Sequence, residues 1–157
     1  MSQARITVGV ISDTHGLFRP EAANALRRSE LIVHAGDVGD AEVIERLRAI
    51  AATVAVRGNS DKGAWATALP TTDVVEVGTV SIYLLHELSG LDLDPKMAGF
   101  AAVISGHSHR PSAELREGVL YLNPGSAGPR RFALPIAVAK LQVIGGSLSH
   151  EIIELRV

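Results

Sequence analysis

Three short apolar runs, RITVGVIS (5–12), LIVHAG (31–36) and TVAVRGN (53–59), alternate with two segments of helical period. The runs are rich in β-branched residues and apolar at successive positions, as strands buried on both faces are. PEAANALRR (20–28) opens with Pro20 and Glu21, which suits the first turn of a short helix. DAEVIERLRAI (40–50) places Asp40 as an N-cap ahead of a stripe of Val43, Ile44, Leu47 and Ile50. A β-α-β-α-β order with short connections predicts parallel strands in one sheet covered by helices.

The rest of the chain has a different rhythm. Residues 72–87 alternate about Gly78-Thr79, residues 113–126 about Glu117-Gly118, and PIAVAKLQVIGGSLSHEIIEL about Gly145-Gly146. Each reads as a hairpin. FAAVISG (100–106) is one more buried strand. An α/β first half and a hairpin-rich second half predict two packed sheets with helices outside, in one domain covering 1–157.

Composition narrows the possible chemistry. The chain has no cysteine, which excludes disulfides, thiolate catalysis and thiolate metal sites together. A bound metal must therefore sit on nitrogen and oxygen. A net charge of −2, with charged residues at 20% and no block of like charge, gives no general affinity for nucleic acid. No apolar run is long enough for a membrane span, and no signal-peptide pattern precedes the first strand, so a cytoplasmic protein without a membrane partner is expected.

Polar residues collect where the apolar strands end: SDTHG after the first, HAGD after the second, RGNSD after the third, then LLHE and SGHSHR. In open α/β sheets, sites form beyond the carboxyl ends of strands. The candidates are Asp13, His15, Asp37, Asn59, His86, His107 and His109. Taken singly, each has an ordinary explanation. Asp13 and Asp37 suit turns, Asn59 and Asp61 would make an ordinary turn after Gly58, and His86 fits a core. His34 suits the core or a bond to a ligand, Asn123 in NPGS a turn beneath the site, and His150 the surface. Together the seven exceed what one catalytic zinc takes and suit two divalent ions sharing a carboxylate. In extended chain, residues i and i+2 point the same way, so Asp13 with His15, and His107 with His109, would each offer a pair of side chains.

The order DTH, GD, GNSD, H, GHSH resembles the calcineurin-like metallophosphoesterase superfamily, and within it the small single-domain phosphodiesterases of bacteria and archaea. The likeness runs from Asp13 to NPGSAGPRR (123–131). It implies a two-sheet β-sandwich flanked by helices in four layers. It implies that Asp13, His15 and His109 hold one metal, that Asn59, His86 and His107 hold the other, and that Asp37 bridges them. Asp37, Asn59 and His107 are then the catalytic residues. Manganese is the expected metal, and nickel, iron, cobalt and zinc also suit such ligands.

Two divalent ions, two carboxylates and a hydroxide sum to about +1, which complements a small phosphodiester substrate. The implied reaction is attack on phosphorus by the metal-bridging hydroxide, in line with the departing alkoxide. Arg57, Arg110, Arg130 and Arg131 are candidate phosphate contacts or solvated charges.

Two positions depart from the family pattern. Ser60 stands where many members have a histidine that assists the leaving group. Glu87 follows His86 where glycine or a second histidine is common, and it narrows the pocket or faces solvent. A non-catalytic metal-binding or protein-interaction module on the same fold is the alternative, since the superfamily includes a trafficking-complex subunit without turnover. Neither a G-x-S-x-G elbow nor a P-loop is present.

Overall fold

The computed structural model describes residues 4–157. The chain forms β1 (Arg5–Ile11), α1 (Pro20–Ala25), β2 (Leu31–His34), α2 (Ala41–Arg48), β3 (Ala52–Ala55), α3 (Ala64–Thr67), β4 (Thr72–Val77) and β5 (Val80–Leu85). It continues with β6 (Phe100–Ile104), β7 (Ser112–Arg116), β8 (Val119–Asn123), β9 (Ala137–Ile144) and β10 (Ser147–Glu154). Two five-stranded sheets result, in the orders β10-β9-β1-β2-β3 and β4-β5-β6-β8-β7.

The expected parallel unit is present, with β1 pairing β2 and β2 pairing β3 in parallel. The β9-β10 hairpin joins this sheet antiparallel to β1, with Val8 opposite Leu141. In the second sheet the two hairpins lie on either side of β6, which runs parallel to both β5 and β8. All three hairpins turn where expected, and Gly78, Glu117, Gly118 and Gly145 adopt the positive φ that tight turns need.

Alternation along the strands decides the layers. Val8 and Val10 of β1, Val33 of β2 and Leu141 of β9 pack against Ile82, Leu84, Ile104 and Leu122 of the second sheet, forming the central core. On the other face of the first sheet, Ile11 and Ile32 pack under Ala22 and Leu26 near α1 and under Val43, Ile44 and Leu47 of α2. Asp40 caps α2 as expected, its carboxylate accepting from the N–H of Glu42 at 2.9 Å. The outer face of the second sheet holds Tyr83, Leu85, Val103 and Val119. Among the described residues, no regular α-helix covers it. Leu88, Leu91 and Leu93 do so from the 88–99 segment, which contains one 3-10 turn. The α1 helix ends at Ala25, short of residue 28, and Arg28 takes a positive φ.

Candidate metal centre

The strand ends expected to carry donors do converge. From the first sheet come the loops after β1 (Asp13, His15), β2 (Asp37) and β3 (Asn59). From the second come the ends of β5 (His86) and β6 (His107, His109). Backbone bonds stitch these loops together: Asp13 N–H to Gly36 O at 3.0 Å, His15 N–H to Asp37 O at 3.0 Å, and Gly106 N–H to His86 O at 2.9 Å.

The seven side chains form a continuous cluster. His109 Nε2 lies 3.4 Å from Asp13 Oδ1 and 3.4 Å from His15 Nε2. His15 Nε2 lies 3.7 Å from Asp37 Oδ2, and His86 Nε2 lies 3.3 Å from the same oxygen. Asn59 Oδ1 stands 3.0 Å from His86 Nε2 and 3.2 Å from His107 Nδ1. Two donors each about 2.1 Å from one ion stand about 3.0–3.5 Å apart at tetrahedral or octahedral angles, so most of these separations are those of shared ligands. Asp13 Oδ1 is buried and accepts no hydrogen bond, yet imidazole nitrogens of His15, His86 and His109 face it within 3.9 Å. An orphaned, buried carboxylate oxygen in that company fits a cation. The donor set, oxygen and imidazole without sulfur, fits a divalent one.

The reason for convergence differs from the expected one. Asp13, His15, His107 and His109 are not extended. Among the described residues, eight non-glycine positions have positive φ, and five of them are Asp13, His15, Asp37, His107 and His109. Left-handed backbone at such residues costs about 1–3 kcal/mol each and persists only where the surroundings enforce it. Tight loops rather than strand alternation therefore aim these side chains.

Close packing leaves two glycines no alternative. A Cβ on Gly36 would lie 2.7 Å from His86 Nδ1, and one on Gly106 would lie 2.7 Å from Asp13 Oδ2.

Partners fix the state of each donor. His86 Nδ1 lies 2.7 Å from Ala35 O, so this nitrogen carries the proton and Nε2 faces the cluster. Burial raises the Asp37 carboxyl pKa, but bonds from His86 and from the Ser60 N–H (2.9 Å to Oδ1) outweigh it and hold the group well below the usual range. Asp13 is likewise lowered: burial opposes this, while His109 and the Ser12 hydroxyl, 2.7 Å from Oδ2, prevail. Both carboxylates are therefore charged at neutral pH. Burial also lowers His15, which favours the neutral, metal-binding form. For His86, burial acts downward but the Asp37 bond wins and raises the pKa, so its proton competes with a cation for Nε2.

Residues outside the seven support the site, and of these Ser126 carried no signal in the sequence. Asp61, read as part of an ordinary turn, is buried, and its carboxylate accepts N–H groups of Gly58 (2.9 Å), Val38 (3.1 Å) and Gly39 (2.9 Å), tying two liganding loops together. The Ser126 hydroxyl donates to Asp13 O at 3.0 Å. Asn123 does lie beneath the site: Nδ2 donates to Gly106 O at 2.9 Å and Ser108 Oγ at 3.1 Å. His34 is fully buried and touches Thr14, between two donors, rather than a donor itself. Glu87 is half-exposed with Oε1 3.6 Å from His107 Nε2. His150 is on the surface, as expected. Arg110, Arg130 and Arg131 are exposed, and Arg131 bears on His15 by lowering its pKa after burial and the neighbouring charges. Among the described residues, no helix is long and apolar enough to cross a membrane.

The family model of the calcineurin-like phosphoesterase superfamily domain matches residues 6–145. A protein of Methanocaldococcus jannaschii described as a probable metallophosphoesterase is 35% identical over 149 residues, which is 87% of this chain and 75% of the relative. The fold matches that of Vps29 from Chaetomium thermophilum with a TM-score of 0.82 at 23% identity, covering 96% of this chain and 89% of the other. It also matches an archaeal phosphodiesterase with a TM-score of 0.77 at 22% identity, covering 94% and 100%. A family match over most of the length, together with a relative sharing a third of its residues, shows that the chain belongs to the calcineurin-like phosphoesterase superfamily.

Proposed function

We propose that this phosphoesterase is a metal-dependent phosphodiesterase with two divalent ions. Asp13, His15 and His109 would hold one ion, Asn59, His86 and His107 the other, with Asp37 shared. Manganese is the first candidate. The observation that carries this reading is the position of Asp37 Oδ2 between the two groups, 3.7 Å from His15 Nε2 and 3.3 Å from His86 Nε2. When bound, the ions supply Lewis-acid charge and a water of depressed pKa.

The chain's own residues orient and balance the site. Asp13 and Asp37 keep their charge at neutral pH, the Ala35 carbonyl fixes the His86 tautomer, and Asn59 contributes a neutral amide that leaves the site receptive to a phosphate. With Ser60 in place of a histidine, the chain brings no imidazole from that loop to protonate a leaving group. Diesters with good leaving groups are therefore turned over faster than alkyl diesters, whose relative rates are left to binding contacts. The name of the archaeal structural neighbour supports diester chemistry. The likeness to Vps29 supports a second reading, a module that binds metal or protein without turnover.

Hydrolysis of bis(p-nitrophenyl) phosphate separates the two. Purified protein with added manganese is expected to turn it over, and Asp37→Asn to lose at least about a hundredfold in kcat. A folded wild type that binds manganese but shows no turnover of any diester supports the non-catalytic module.

A further inference from the structure

Two cavities flank the cluster, and they differ in charge. The first, about 330 Å³, opens beside His107 and is lined by Glu87, Ser108, Glu114, Arg116 and Tyr121, among others. Its one arginine is already engaged: Arg116 Nη2 lies 2.9 Å from Glu114 Oε2, and its guanidinium stacks 4.7 Å above the Tyr121 ring. That side offers hydroxyls and an aromatic surface under a negative balance. The second, about 510 Å³, opens beside Asn59 and His86 and is lined also by Arg57, Lys62, Thr71 and Thr72. Neither Arg57 nor Lys62 forms an ion pair among the described residues.

Two carboxylates also border the second cavity. Asp61 is buried, and both its oxygens are occupied by backbone N–H groups. Glu87 stands on the wall shared with the first cavity. The backbone carrying the two cations is anchored: the Arg57 main-chain N–H donates to Pro70 O at 2.8 Å, and Lys62 follows the buried Asp61. A guanidinium, an ammonium and two threonine hydroxyls around one opening form a receptor for a phosphate.

We propose that Arg57 and Lys62 form a second anion subsite, and that the chain prefers phosphodiesters carrying a further phosphate on the arm that lies over Asn59 and His86. The other arm, neutral and hydroxylated, lies towards Tyr121, because the one cation of that cavity is already paired with Glu114 and leaves no free positive charge for a second anion. This rests on the phosphodiesterase reading, and it identifies the class of substrate.

The test compares two dinucleotides that differ by one group, TpT and its 5′-phosphorylated form pTpT. With manganese-loaded protein, kcat/KM for pTpT exceeds that for TpT by about tenfold, chiefly through KM, equivalent to ~1.4 kcal/mol of charge-assisted contact. The excess shrinks in Lys62→Ala, disappears in the Arg57→Ala Lys62→Ala double variant and is partly retained in Arg57→Lys. Equal values for the two substrates in the wild type, or an undiminished preference in the double variant, would overturn the proposal. If no diester is cleaved, the reading of the reaction fails, and calorimetric titration of the same two compounds into manganese-loaded protein decides the subsite separately. Tighter binding of pTpT, lost in the double variant, upholds it, and equal affinities overturn it.

Discussion

His34 illustrates how one buried side chain sets a limit on the protein's working pH. Its Nδ1 accepts the N–H of Gly36 at 3.1 Å, so the proton must reside on Nε2, which donates to Thr14 Oγ1 at 3.0 Å. The Thr14 hydroxyl then donates to Val38 O at 2.8 Å. A second proton on His34 would face an N–H. Burial, opposed by the nearby Asp13 and Asp61 charges, accordingly lowers its pKa from 6.5 to about 4. In the unfolded chain the imidazole takes up a proton near pH 6.5, which the folded chain refuses. Its contribution to stability is therefore intact above that pH, falls as pH drops from about 6.5 to 4, and is level below. The full loss is about 3 kcal/mol. Denaturant unfolding of metal-free protein between pH 7.5 and 4.5 should show a slope that flattens in His34→Asn, and an identical slope in both proteins would contradict the assignment.

At the scale of elements, the loop after β6 is only as well aimed as the strand beside it allows. Asn123, the last residue of β8, tethers Gly106 and Ser108 through Nδ2 and accepts the Gly125 N–H at 2.9 Å through Oδ1. Asn123→Ala strands the buried Gly106 carbonyl and Gly125 N–H at a cost of about 1–3 kcal/mol and loosens the loop carrying His107 and His109. Manganese affinity should fall about 10–100-fold by calorimetry, as it does on losing a group that orients ligands. Unchanged affinity would show that the loop holds itself.

The elements are largely legible in the sequence, because strand and hairpin signals are local: apolar runs, Asp40 before α2, a glycine in each hairpin turn. Their arrangement is not. Nothing local predicts that β9 lies beside β1, or that loop 88–99 covers a sheet in place of a helix. The four-residue α3 was too short to carry a periodic signal.

Over the whole molecule, two sheets bring the carboxyl ends of β1, β2, β3, β5 and β6 to one place, and the cluster exists only once both have packed. The donor types and their strand-end positions could be read from the sequence. The left-handed loops, the orphaned Asp13 Oδ1 and the buried tie made by Asp61 could not, since each depends on partners more than twenty positions away. The proposed reaction requires that these donors jointly hold two divalent cations. Titration of manganese into exhaustively chelated protein, followed by calorimetry and elemental analysis, tests it directly. Two ions per chain are expected in the wild type and one in His109→Ala. One ion or fewer per chain in the folded wild type, or diester hydrolysis undiminished by chelation, would contradict it.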